Sequence, residues 1–177
     1  MKITHLSITG SALITPNPIE DERGFFAPLV NVGLLEELGK PFKFWQMNAS
    51  LSKKKGTLRG LHMQKGAASE TKVIRLIKGS IWDVIVDMRP TSSTYLQWVG
   101  ITLLPEERQI LIVPPGCAHG FITLEDETEI VYLVDKTYAP ELEVVFRWDD
   151  PLFDIKWPIP PTLLSLKDKS APFLDKA

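Results

Sequence analysis

The apolar residues of this chain fall in short β-branched runs rather than in helical stripes. Residues 71–90, TKVIRLIKGSIWDVIVDMRP, hold two such runs on either side of Lys78-Gly79-Ser80. They predict two strands with a hairpin-like break between them. Further strands are predicted over 97–103 (QWVGITL), 109–116 (QILIVPPG), 119–125 (HGFITLE) and 129–138 (EIVYLVDKTY). Helical signal is thin. In 31–40, NVGLLEELGK, the residues Val32, Leu34, Leu35 and Leu38 share one helical face, and Gly39 is placed to end it. PEERQ, 105–109, predicts one short turn. Many short strands separated by turn signals indicate a β-sandwich or barrel. The tail from Trp148, WDDPLFDIKWPIPP, is proline-rich and predicts loop and short turns wrapped over the barrel. There is no internal repeat, low-complexity stretch or linker, so 1–177 is expected to form a single domain.

One predicted strand breaks the pattern. In LRGLHMQ, 58–64, simple alternation puts Leu58, Gly60 and His62 on one face and Arg59, Leu61 and Met63 on the other. Both faces then carry something polar. Such a strand either has a wet edge or lines a cavity that needs charge.

Composition narrows the setting. Of 177 residues, 44% are hydrophobic and 24% charged, which suits a globular chain with a sizeable core. A net charge of −2 gives no reason to expect a nucleic-acid or membrane surface as partner. No apolar run is long enough to span a bilayer, and MKITHLSITG lacks the apolar segment of a signal peptide. The single cysteine, Cys117, leaves no intrachain disulfide and fits a reducing compartment, so a cytoplasmic location is expected. Fourteen prolines and 11 glycines favour short elements with frequent turns.

Two spacings carry chemistry. Gly56 is followed after five residues by His62-x-Gln64, and Lys72 after six residues by Gly79; Pro114-x-Gly116-x-x-His119 follows later. These resemble the two motifs of the cupin barrels. Metal cupins offer several histidines and a carboxylate to one cation. Here the second histidine is Gln64 and the carboxylate position is Lys72. A fixed ammonium repels a divalent metal and can instead stabilise a developing oxyanion. The chain has three histidines. His5 reads as an ordinary surface or hydrogen-bonded residue. His62 and His119 lie in strand contexts suited to a pocket, where an imidazole can take a proton near neutral pH. Arg59, Lys72, Arg75, Asp83, Asp87 and Tyr132 also interrupt apolar strands. They form either internal ion pairs, such as Asp83 or Asp87 with Arg89 or Arg59, or a basic floor for a phosphate-bearing ligand.

Nine segments extend the resemblance along nearly the whole chain: DERGFF (21–26), QMNASLS (46–52), LRGLHMQ (58–64), DVIVDMR (83–89), PPGCAHGF (114–121), VYLVDKTYAPE (131–141), RWDDP (147–151), IKWP (155–158) and LSLKD (164–168). Together they resemble the dTDP-4-dehydrorhamnose 3,5-epimerase family. The resemblance implies an all-β cupin jelly roll, a double-stranded β-helix with a few short helices. It implies a homodimer with a swapped N-terminal strand, acting on a nucleotide-linked 4-keto-6-deoxyhexose without metal or other cofactor. In that family carbons 3 and 5, which flank the ketone, are inverted. Carried onto this chain, the resemblance makes His62 the general base, Asp168 its orienting carboxylate, Tyr132 the acid on the opposite face and Lys72 the holder of the enolate oxygen. Read without the resemblance, Tyr132 is an ordinary core aromatic. The resemblance further implies that Arg23, Phe26, Gln46, Asn48, Arg59, His119, Glu143 and Lys167 contact the substrate, and that Tyr138 stacks on its base. Pro28 stands near a position where the family usually has Glu, and Met47 and Ala49 replace its usual acidic and histidine residues. Three other readings stay open. The enzyme inverts only carbon 3 or only carbon 5, or takes a GDP- or CDP-linked sugar. The chain is a catalytically silent sugar-nucleotide-binding cupin. Or it is a metal-dependent cupin oxygenase, which Gln64 and Lys72 disfavour.

Overall fold

The structure, a computed structural model, describes residues 1–38 and 42–174. The strands, in chain order, are β1 (Lys2–His5), β2 (Ala12–Thr15), β3 (Ile19–Asp21), β4 (Gly24–Phe26), β5 (Gln46–Ser52), β6 (Leu58–Gln64), β7 (Lys72–Lys78), β8 (Ile81–Asp87), β9 (Trp98–Leu103), β10 (Ile110–Val113), β11 (Cys117–Thr123), β12 (Thr128–Val134) and β13 (Glu143–Val145). Two short helices accompany them, α1 (Val32–Glu37) and α2 (Leu166–Ser170). A six-stranded sheet of order β1-β2-β10-β7-β12-β5 faces a five-stranded sheet of order β13-β6-β11-β8-β9, and every pairing within them is antiparallel. This is the cupin jelly roll.

Each sheet is apolar on both faces, which explains the continuous β-branched runs. On β7, Ile74 and Leu76 point between the sheets, onto Ile81, Ile85 and Phe121. Val73 points outward and is covered, with Ile110 and Ile112, by Leu35 of α1 and by Phe42. On the other sheet, Leu61, Val84 and Val86 point outward and are roofed by Phe146 and Phe153 of the C-terminal segment. Helix α1 starts where Asn31 caps the backbone N–H of Leu34 at 2.9 Å. The expected stop at Gly39 lies outside the described residues.

Two expectations are corrected. The break at 78–80 is not a hairpin. β7 pairs with β10 and β12 in one sheet, and β8 with β9 and β11 in the other. Gly79 supplies the left-handed turn (φ +81°), but the turn lies against the start of β12, where a Cβ would come within 2.9 Å of the Thr128 Cα. The chain is therefore steered across the barrel and does not fold back beside itself. The second correction concerns β6. Its register on β11 pairs His62 with His119 but Arg59 with Phe121, so three steps on one strand match two on the other. The extra residue is a β-bulge. It turns Arg59 and His62 to the same face and sends Leu61, fully buried, to the other. Gly60 permits it: a Cβ there would lie 2.6 Å from the Gly120 Cα, at φ +128°.

Candidate active site

The open end of the barrel holds two adjoining cavities. One, of about 240 Å³, is lined by Arg59, His62, Lys72, His119, Tyr132 and Asp168, together with Ser50 and Ser165. The other, of about 290 Å³, adds Gln46, Asn48, Glu70, Tyr138 and Glu143. They meet at His62, Lys72 and Tyr132, which line both. His62 belongs to β6, in the sheet opposite β7 and β12, which carry Lys72 and Tyr132. A ligand at the junction is thus met from both sheets.

His62 Nε2 lies 2.6 Å from Asp168 Oδ1, leaving the other ring nitrogen for the cavity. Asp168 is 106 residues away in sequence and reaches β6 because the C-terminal tail is strapped there. The Leu58 N–H donates to the Leu163 carbonyl at 2.9 Å and the Thr162 N–H to the Gly56 carbonyl at 2.8 Å. Ser165 then caps α2 by accepting from the Asp168 N–H at 3.1 Å. Burial pushes the Asp168 carboxyl up, but hydrogen bonds from His62, Ser165 and the Gly60 backbone outweigh it and hold the group below the usual carboxylate range. An ionised Asp168 accepts a hydrogen bond from the ring and fixes its orientation toward the cavity.

Tyr132 is partly buried against the inner core and also lines both cavities. Burial, and then the negative charge of Glu70, raise its phenol above the ordinary tyrosine value, which keeps it a proton donor. The Lys72 ammonium lies 6.0 Å from the Tyr132 ring centroid and is ion-paired with Glu70. Gln64 spends its amide within the protein, donating to Glu70 Oε2 at 3.0 Å and accepting from the Ala139 N–H at 2.6 Å.

Arg59 donates to Ser52 Oγ at 3.0 Å and to the Leu51 carbonyl at 3.1 Å, and no carboxylate pairs with it among the described residues. Its charge is free to meet a phosphate. His119 Nε2 lies 2.9 Å from both oxygens of the fully buried Asp83. The expected arginine partner for Asp83 is therefore replaced by a histidine, while Asp87 does pair with Arg89. Burial pushes the Asp83 carboxyl up, against the pull of His119. At the mouth, Glu143 accepts from the Tyr138 hydroxyl at 2.7 Å and pairs with Lys167. Burial raises its carboxyl, but those two partners prevail and hold it low. Gln46 donates to Asn48 on the neighbouring wall.

Arg23 and Phe26 are not brought to this site within one chain. They sit on the β3–β4 hairpin, which pairs with no other strand among the described residues, and Arg23 forms an exposed ion pair with Asp21. His5 is exposed. Three lining or supporting groups escaped the sequence reading: Glu70, Asp83 as the partner of His119, and Ser165. Only Ser165 carried a local signal, as the first residue of Ser165-x-x-Asp168 ahead of a short helix.

Known proteins resemble this chain over nearly its whole length. The family model described as dTDP-4-dehydrorhamnose 3,5-epimerase matches residues 5–176. A dTDP-4-dehydrorhamnose 3,5-epimerase of Salmonella typhimurium is 40% identical over 179 aligned residues, covering 100% of this chain and 97% of that protein. The crystal structure of the Bacillus anthracis enzyme of that name, with TDP and PPi bound, is 40% identical with a TM-score of 0.92, covering 98% of this chain and 99% of that one. The Legionella pneumophila dTDP-6-deoxy-D-glucose-3,5-epimerase, in complex with dTDP-4-keto-L-rhamnose, is 36% identical with a TM-score of 0.90, covering 97% and 92%. With a family match over nearly its whole length and relatives of this identity and coverage, the chain belongs to the dTDP-4-dehydrorhamnose 3,5-epimerase family, isomerases carried here on a cupin jelly roll.

Proposed function

We propose that the protein inverts carbons 3 and 5 of dTDP-4-dehydro-6-deoxy-D-glucose to give dTDP-4-dehydro-L-rhamnose, using only its own side chains. A proton beside a ketone is weakly acidic, so a base alone is too slow. His62, held by Asp168, takes the proton from carbon 3, and the electron pair moves onto the ketone oxygen. Lys72 meets the enolate oxygen, and one pre-placed cation of this kind is worth about 3 kcal/mol. Tyr132 returns a proton to the opposite face, and before carbon 5 is treated the same way His62 gives up the proton it took and the phenolate regains one, both by exchange with solvent. Arg59 takes the diphosphate, with His119, Asn48, Gln46 and Lys167 along the sugar and nucleotide, and Tyr138 stacks on the base. The observation that carries this reading is that His62–Asp168 and the Lys72–Tyr132 pair enter one cavity from opposite sheets.

The test is incubation with dTDP-, GDP- and CDP-linked 4-keto-6-deoxyhexoses in D₂O, followed by NMR. Deuterium is expected at carbons 3 and 5 of the dTDP sugar, undiminished by a chelator. Absence of label from every sugar would overturn the reading, label at one carbon would reduce it to a single inversion, and loss with a chelator would end the cofactor-free mechanism.

We also propose that the chain, a single domain working in the cytoplasm, acts as a homodimer. The β3–β4 hairpin exposes Ile19, Phe25 and Phe26, each half exposed or more, and leaves Arg23 and Phe26 away from the cavity of its own chain. On this reading the hairpin enters the partner's site, where those two residues reach the substrate. Light scattering should give twice the chain mass of 19.9 kDa, and an equal mass with full activity would count against the swap.

A further inference from the structure

Glu70 is a carboxylate in the cavity wall that the reaction above leaves unused. Its side chain is 9% exposed, and its two oxygens are divided between two partners. Oε1 takes the Lys72 ammonium and Oε2 accepts from Gln64 Nε2 at 3.0 Å. Gln64 is itself 4% exposed and immobilised, its two N–H groups shared among Glu70 and the Ala68 and Thr137 carbonyls, the latter at 3.2 Å each, while its oxygen accepts from the Ala139 N–H. Glu70 is therefore anchored on a buried amide, and Lys72 is anchored on Glu70. Among the described residues Glu70 is the one hydrogen-bond acceptor for Lys72 Nζ. A lysine side chain on four rotatable bonds does not hold one position unaided. With one of its three N–H groups committed, the ammonium keeps two for the cavity.

We propose that Glu70 is a positioning residue for this reaction, fixing the Lys72 ammonium beside Tyr132 at the place where the ketone oxygen becomes an enolate. The inference rests on the function proposed above. A carboxylate by itself opposes a nearby enolate, so what Glu70 contributes at the enolate oxygen passes through Lys72.

That dependence gives the test. Glu70→Gln keeps the shape and an acceptor for Gln64 but removes the charge that holds Lys72. It should lower kcat and deuterium exchange together by about 10–100-fold, the scale of a misplaced catalytic group. KM should stay within about threefold, because ground-state binding is untouched, and dTDP affinity measured by calorimetry should not change. Glu70→Asp keeps the charge at shorter reach and should fall between wild type and Glu70→Gln, which also guards against a Gln variant that fails to fold. In a Lys72→Met background, with deuterium uptake integrated over hours, adding Glu70→Gln should change the rate by less than about twofold. An equal loss in both backgrounds, a loss carried in KM, or a wild-type kcat in Glu70→Gln would overturn the inference. A wild-type rate in Lys72→Met would remove the enolate role of Lys72 and this inference with it. A full Lys72→Met loss with an additive Glu70 effect would remove this inference alone.

Discussion

His62→Ala should abolish epimerisation and deuterium wash-in together, with a loss of roughly 10²–10⁴ in rate, the range of a positioned general base. The other imidazole in the cavity wall, His119, is held by Asp83 and not by Asp168. Tyr132→Phe should separate the two readouts. The ring stays, so its packing against Ile74 and Ile130 survives. Exchange at the first carbon continues, because His62 can return a solvent-derived proton to the face it came from. Inversion falls much further, because delivery from the other sheet is gone. Asp168→Asn should behave as a weaker His62 variant, since an amide orients the ring but does not stabilise its cation. The measurement is NMR of both carbons in D₂O for the three variants. Inversion of both carbons at the normal rate by Tyr132→Phe would show the two-face mechanism to be wrong and return Tyr132 to a packing role.

Gly60→Ala should be the most damaging change that touches no chemical group. Gly60 has φ +128°, and a Cβ would lie 2.6 Å from the Gly120 Cα and 2.8 Å from the His119 carbonyl. Both obstacles are backbone, so no side chain can swing aside. The cost combines backbone strain with overpacking, about 3 kcal/mol or more. For a chain of this size that corresponds to a melting temperature lower by roughly 6–12 °C. Relief by parting β6 from β11 would carry Arg59 and His62 off their shared face, so activity should fall beyond the stability loss. Gly24→Ala is the control: its φ is +120°, yet nothing lies within 4 Å of the added carbon. It carries the conformational term without the clash. A Gly60→Ala protein that melts no lower than Gly24→Ala would refute the close-approach argument.

Much of this molecule is local. Strand runs over 72–78 and 81–87 are legible because β-branched residues buried on both faces dominate them, and the spacing of Gly56, His62, Lys72 and Gly79 places the site's chemistry without a structure. The partners of those residues are another matter. A glycine turn looks the same whether the next strand folds back or crosses to the facing sheet, so Lys78-Gly79-Ser80 reads as a hairpin and is not one. Alternation predicts opposite faces for Arg59 and His62. The bulge that joins them exists only because Gly60 meets Gly120 on another strand. Asp83 finds His119 and Asp168 finds His62 across 36 and 106 residues, contacts that no local window contains. The sequence by itself determined which groups the site has at its disposal, since side-chain chemistry and strand propensity belong to single residues and their near neighbours. Only the tertiary structure decided which groups meet, that Glu70 holds Lys72 and that the β3–β4 hairpin stands apart from its own cavity, because pairing depends on distances set by the packing of two whole sheets.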